Sequence, residues 1–154
     1  MENREKLLND LKSSDEGTRK KATRKLWGLW FSEAGDDALS QIRKVAYLID
    51  QKKLDEAKEF SLKLVANYPG FAEAHNKLAI VLYLLGKYAE SAIECKKTVQ
   101  INPLHFGAWN GLGLCLFNLG RYEEALKSFE RALKIQPYAK VNRMYIARCL
   151  GNLN

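Results

Sequence analysis

Apolar residues recur at intervals of three and four along most of the chain, and short polar turns break the rhythm. From 106 to 118, Trp109, Leu112 and Leu116 form such a stripe, the mark of an amphipathic helix. Leu119-Gly120-Arg121 interrupts it, with Gly120 suited to the left-handed conformation that ends helices. A second stripe, Ala125, Phe129 and Ala132, predicts a helix over 122–135, which Pro137 stops. The same alternation predicts helices over 72–84 and 88–101, with a turn at Leu85-Gly86-Lys87, and over 38–50 and 54–67.

These hairpins repeat at a fixed step. The three prolines, Pro69, Pro103 and Pro137, stand 34 positions apart, as do Glu56, Glu90 and Glu124, and Leu82, Leu116 and Leu150. Gly86/Gly120, Tyr88/Tyr122, Ala74/Ala108, Asn76/Asn110 and Cys115/Cys149 keep the same spacing. The small residues Ala57, Ser91 and Ala125 let the two helices of each unit approach closely. One such hairpin cannot bury its apolar stripe alone, so neighbours must stack on a shared core.

The flanks fit that arrangement. Ser13-Ser14-Asp15-Glu16 reads as a capping box, Ser13 with Glu16, opening a helix that runs to about Phe31, and Glu2 to Lys12 forms a shorter helix before it. Trp27, Trp30 and Phe31 share a face and are expected to pack this pair onto the first unit. At the other end, Lys140 to about Leu150 places Ile146, Ala147 and Leu150 where a further first helix has its inner residues. It is expected to cap the last hairpin, with Arg143 and Arg148 outward. The expected organisation is an amino-terminal helical pair over 1–37, three units over 38–71, 72–105 and 106–139, and a capping helix with tail over 140–154.

Composition narrows the class. With 154 residues, 47% hydrophobic and 28% charged, the chain can bury one core. Charged residues recur too often for a membrane span, and the mixed-charge start Met1-Glu2-Asn3-Arg4-Glu5-Lys6 lacks the form of a secretory signal. Three widely spaced cysteines, Cys95, Cys115 and Cys149, suit reduced thiols, so the cytoplasm is the expected compartment. The net charge of +7 is uneven: 1–37 is balanced, whereas 106–154 carries seven basic against three acidic side chains.

Trp109-x-x-Leu112-Gly113, then Ala125-x-x-x-Phe129 and Pro137, closely resembles the tetratricopeptide motif, with Leu116 where tyrosine is usual. The second unit is looser, with His75, Ala79, Ser91 and Cys95 at the corresponding places. The first is recognised by Ala57, Leu64 and Pro69. The segment from Ala22 to Phe31 is similar to one that precedes the repeats in small bacterial and plastid members. The resemblance implies an all-α, right-handed superhelical solenoid whose first helices line a groove for an extended peptide or a partner's helix.

By that analogy the groove receives Leu39, Ile42, Arg43 and Ala46, then Glu73, Asn76, Lys77 and Ile80. It continues through Gly107, Asn110, Gly111 and Leu114 to Val141, Met144, Tyr145 and Arg148. A branch of the family clamps the free carboxylate of chaperone tails. This chain departs from it, with Ile42, Ala46, Gly107 and Gly111 at the clamp's charged and amide positions.

The equivalent places of Asn76 and Asn110 suit a row of amides hydrogen-bonding a peptide backbone, or else solvated polar positions. Arg43, Lys77 and Arg148 suit an acidic partner. Gly107 and Gly111 either leave room for a bulky ligand side chain or permit close helix packing. His75, His105 and the cysteines read as structural, because no activating base or ligand set accompanies them in sequence. No catalytic residues, metal site or cofactor are expected, and the chain reads as a non-catalytic interaction module.

Two alternatives stay open. Lys20, Lys21, Arg24 and Lys25 form a basic stripe that a basic RNA-associated helical-repeat protein could use, although Asp15, Glu16 and Glu33 offset it and no aromatic stacking platform accompanies it. Self-association through Trp27 and Trp30 is the second.

Overall fold

Residues 3–154 are described by a computed structural model of the chain, and they contain nine α-helices and no strand. These are α1 (Arg4–Asp10), α2 (Glu16–Phe31), α3 (Asp36–Asp50), α4 (Leu54–Asn67), α5 (Ala72–Leu84), α6 (Tyr88–Ile101), α7 (Phe106–Asn118), α8 (Tyr122–Ile135) and α9 (Lys140–Leu153). The ends of α4 to α8 fall where the spacing of apolar residues, glycines and prolines puts them. The expected helix start at Glu2 lies outside the described residues. Helix α3 begins two residues before Ala38, because Gly35 (φ 92°) turns the chain and Asp36 and Asp37 favour the positive end of a helix dipole.

Each hairpin turn closes in the same way. The backbone N–H groups of Lys53, Lys87 and Arg121 donate to the carbonyls of Leu48, Leu82 and Leu116 at 2.9, 2.8 and 2.9 Å. Such a closure requires a residue in the left-handed region. Gly86 and Gly120 take it at φ 77° and 75°, while Lys52 holds the equivalent place at φ 58° and bears the Cβ strain that glycine avoids.

The helix pairs stack. One cluster joins Ile42, Val45 and Leu48 of α3 to Ala57 and Leu64 of α4 and to Ala74 and Val81 of α5. A second joins Cys95 to Leu112, Cys115, Leu116, Phe129 and Cys149, spanning α6 to α9. Ala57, Ser91 and Ala125 are all buried, and the Ser91 hydroxyl donates to the Ala79 carbonyl at 2.6 Å across its pair. Gly113 sits against the Phe129 ring so closely that a Cβ there would stand 2.7 Å from it.

Three expectations at the flanks need correction. Helix α2 is capped by Asp15, whose carboxylate accepts from Thr18 N at 2.8 Å, and not by Ser13, whose hydroxyl accepts from Asp15 N. The Ser13 hydroxyl instead holds the Asp15 backbone N–H, and Asp15 caps the helix two residues later than the Ser13 pattern suggests.

Trp27 and Trp30 do not pack onto α3 and α4; only Phe31 joins that cluster. Trp30 stacks on His105 at 4.6 Å, and Trp27 meets His105 and Phe106 edge-on at 5.2 and 5.5 Å. Arg19 lies over the Tyr138 ring at 4.1 Å, and Phe31 lies under Lys77 Nζ at 4.7 Å. Helix α2 therefore runs as a strap along the edge made by the turns between successive pairs. It follows this course because its apolar face, with Ala22, Leu26 and Trp30 completed by Leu7 and Leu11 of α1, is covered by Phe106 and Ile135.

In α9, Ile146 is half-buried but Ala147 and Leu150 are exposed. Their positions are buried in α5 and α7 only because a second helix covers them there.

Candidate functional site

The first helices α5, α7 and α9 are tied to one another by polar bridges. Glu73 of α5 and His105, at the start of α7, are both fully buried and hydrogen-bonded. The Ala108 N–H donates to His105 Nδ1 at 3.0 Å, so Nε2 carries the proton that Glu73 accepts. Further along, Asn118 Nδ2 donates to the Tyr83 hydroxyl at 3.3 Å. Asn110 Nδ2 donates to Asn142 Oδ1 at 2.7 Å, joining α7 to α9. Among the described residues no buried side-chain nitrogen or oxygen is left without a partner, as a low-dielectric interior demands.

The residues that analogy assigns to a groove divide into two sets. Asn76 is 3% exposed, with its amide directed at Glu73, and Asn110 is half-buried on Asn142. Lys77 is half-buried between Phe31, Glu73 and Asp50; burial pushes its ammonium below the usual lysine range, while the two carboxylates oppose the shift. Ile42 is fully buried, and the position a side chain would take at Gly111 faces Cys95. Gly107 is covered by Trp27.

The second set stays open, and Leu84, which the analogy did not assign to the groove, joins it. Arg43 and Arg148 are exposed, Ile80 and Leu84 are 36% and 49% exposed, and Leu114 is half-buried. Ile80 and Leu84 lie one turn apart on α5, so they share a face. Leu114 and Arg148 hold the place of Ile80 on α7 and α9, which aligns an apolar strip across the wall with a cation at its end. Tyr145 is half-buried, stacked on Phe129 at 5.0 Å with Arg148 over its ring at 5.4 Å.

The Glu73–His105 bridge and the docking of α2 had no local signal, since each joins residues dozens of positions apart. His75 also finds a glutamate: Nδ1 pairs with Glu94 at 2.7 Å and Nε2 with the Pro69 carbonyl at 2.8 Å. All three cysteines are buried. The hydrogen bond to Cys115, then burial, holds the Cys95 thiol well above its usual range, and burial raises that of Cys149. On the basic stripe Lys20 pairs with Glu16 at 2.9 Å. Among the described residues no three His, Cys, Asp or Glu side chains converge as a metal site requires, and no helix is long and apolar enough to cross a membrane.

Comparisons with known proteins agree with this architecture. No curated protein sequence matches the chain significantly. Among solved structures, the first TPR domain of Spaghetti (RPAP3), bound to an HSP90 peptide, superposes with a TM-score of 0.73 at 25% identity, covering 75% of this chain and 91% of that one. The first TPR domain of human RPAP3 gives 0.71 at 25% identity, with the same coverages. MamA AMB-1 gives 0.68 at 23% identity and covers 97% of this chain and 80% of its own, a likeness of fold alone. Models of the tetratricopeptide repeat match residues 43–105 and 107–138. The stacked helix pairs, their motif residues and these matches together establish that the chain belongs to the tetratricopeptide repeat family.

Proposed function

We propose that this protein is a non-catalytic adaptor that captures a polypeptide segment on the open strip of its first helices. The observation that carries the reading is the row Ile80, Leu84 and Leu114, apolar yet accessible and backed by a wall with satisfied polar groups. Apolar contact supplies affinity on such a surface, and Arg148 at its end, with Arg43 exposed on α3, favours a segment that carries acidic residues. Asn76 and Asn110 act in this reading as braces of the wall, since their amides are engaged within it. Lys77 and Tyr145 border the strip.

The bound HSP90 peptide belongs to the Spaghetti structure. Capture of a chaperone tail here lacks support from the residues at the clamp positions. Ile42 is core, Gly111 faces Cys95, and Gly107 lies beneath Trp27. Recognition through apolar side chains fits this chain better than recognition of a terminal carboxylate.

Selection of random short peptides on the immobilised protein, followed by fluorescence anisotropy of the enriched ones, tests the proposal. Binding is expected to weaken at least about tenfold, or ~1.4 kcal/mol, in Ile80→Asp/Leu84→Asp. Enriched peptides that bind this variant as well as the parent would remove the reading. Tight binding of labelled single-stranded RNA, falling steeply with salt and unaffected by these substitutions, would favour the nucleic-acid alternative instead.

A further inference from the structure

The fourth residue of three successive first helices makes the same bond to the chain before it. His75 Nε2 pairs with the Pro69 carbonyl at 2.8 Å, Trp109 Nε1 donates to the Pro103 carbonyl at 2.7 Å, and Arg143 Nη2 donates to the Pro137 carbonyl at 2.8 Å. The three helices thus share one register, and their other positions can be compared directly.

In α5 and α7 the face beyond that bond is covered by the second helix of the pair. Ala79 accepts from Ser91 of α6 and is 2% exposed; Gly113 lies on Phe129 of α8. Leu82 and Leu116 are 4% and 2% exposed. On α9 the equivalent residues are Ala147, exposed, and Leu150, 46% exposed. A small residue and a leucine one turn on make the surface that accepts a helix at close range elsewhere in the molecule.

Charge identifies the chemistry of the occupant. Over Lys140–Leu153 the helix carries Lys140, Arg143 and Arg148 and no acidic residue. In α5 the outward nitrogen of His75 meets Glu94 of α6 at 2.7 Å. Arg143 stands in the place of His75, so a helix seated on α9 as α6 is seated on α5 would bring its own carboxylate to the guanidinium. A second copy of α9 would instead bring Lys140 and Arg143, and no carboxylate, to that guanidinium.

We propose that the outer face of α9, built on Arg143, Ala147 and Leu150, is a second docking surface. Its occupant is an amphipathic helix of a partner protein that presents a carboxylate to Arg143 and completes the last hairpin. This surface is separate from the strip of first helices, and neither proposal depends on the other.

The probe is a hydrocarbon-stapled, fluorescein-labelled copy of residues 120–137 with Ser128→Glu, which sets a carboxylate where Glu94 stands in α6; its helicity is checked by circular dichroism. A matched probe carries Ser128→Lys. Titrated with the full chain, the glutamate probe is expected to bind at least about tenfold more tightly than the lysine probe. Leu150→Asp is expected to abolish that binding, and Arg143→Glu to reverse the preference between probes. Ile80→Asp/Leu84→Asp is expected to leave it unchanged.

Equal affinity for both probes, or binding that neither Arg143→Glu nor Leu150→Asp alters, overturns the proposal, provided both variants keep the parent's helical content. A concentration-dependent dimer in light scattering that Leu150→Asp dissociates would place a second copy on this face, and overturns it too.

Discussion

Trp27 of α2 rests on Gly107 of α7 so closely that a Cβ at 107 would lie 2.7 Å from Trp27 Cη2 and 3.0 Å from Cζ2. The glycine is the seat of the strap. Gly107→Ala should therefore push α2 off its edge, at a cost of about 1–3 kcal/mol for overpacking a site with little slack. Urea unfolding followed by tryptophan fluorescence measures this, and Gly107→Ala should cost much less in a Trp27→Leu background. Equal costs in the two backgrounds would show that the strap does not sit there.

A second prediction concerns the buried bridge between α5 and α7. Glu73→Ala leaves the Nε2–H of His105 without an acceptor in a fully buried place, and should destabilise the fold by about 3 kcal/mol, combining a lost charge-assisted bond with an unsatisfied donor. Glu73→Gln keeps an oxygen acceptor and should cost clearly less. Chemical denaturation of the two variants checks the order.

How much of this could be read in the chain depends on sequence distance. The ends of α5 to α8 were legible because glycine and proline punctuate them at a fixed step, the start of α4 followed from that step although Lys52 replaces the glycine, and the burial of Ala57, Ala125 and Phe129 followed from the motif. The course of α2 was not legible. Its apolar stripe announces a buried face, yet nothing local says that the cover lies on Phe106 and Ile135. Register placed Asn76 and Asn110 on successive first helices, but whether an amide there faces a ligand or a neighbour depends on what stands beside it, here Glu73 and Asn142. Register likewise made Ala147 and Leu150 interior, although the helix that would cover them is not among the nine.

Lys52 offers a test of backbone strain. Holding the left-handed place that Gly86 and Gly120 fill elsewhere, it should yield about 1 kcal/mol of stability on Lys52→Gly, a gain from the relieved Cβ clash less the entropy that glycine adds to the unfolded chain. A rise in the urea midpoint with an unchanged slope is the expected result.

Lys77 gives the pH dependence its sign. Burial lowers its pKa in the folded state, so the folded protein holds that proton less tightly than the unfolded chain does. Below the folded value the penalty of a buried ammonium is present in full. It is relieved as pH rises through that value toward the unfolded value of 10.5. Lys77→Met should therefore be more stable than the parent at neutral pH, and the difference should shrink as alkaline pH is approached. A constant difference would contradict the assignment.

The thiols report on opening of the stack. Cys95, Cys115 and Cys149 are 2%, 0% and 0% exposed, and the first and last are held in their protonated form by the shifts described above. Labelling by a maleimide should proceed only through unfolding, and should slow in step with any stabilising substitution such as Lys52→Gly.

Amide chemical-shift mapping of the isotope-labelled chain with a selected peptide shows whether the open strip of first helices holds another polypeptide. Perturbations are expected to concentrate at Ile80, Leu84, Leu114 and Arg148, with the outer faces of α4 and α6 unchanged. Shifts confined to α1 and α2, or to the outer helices, would contradict it.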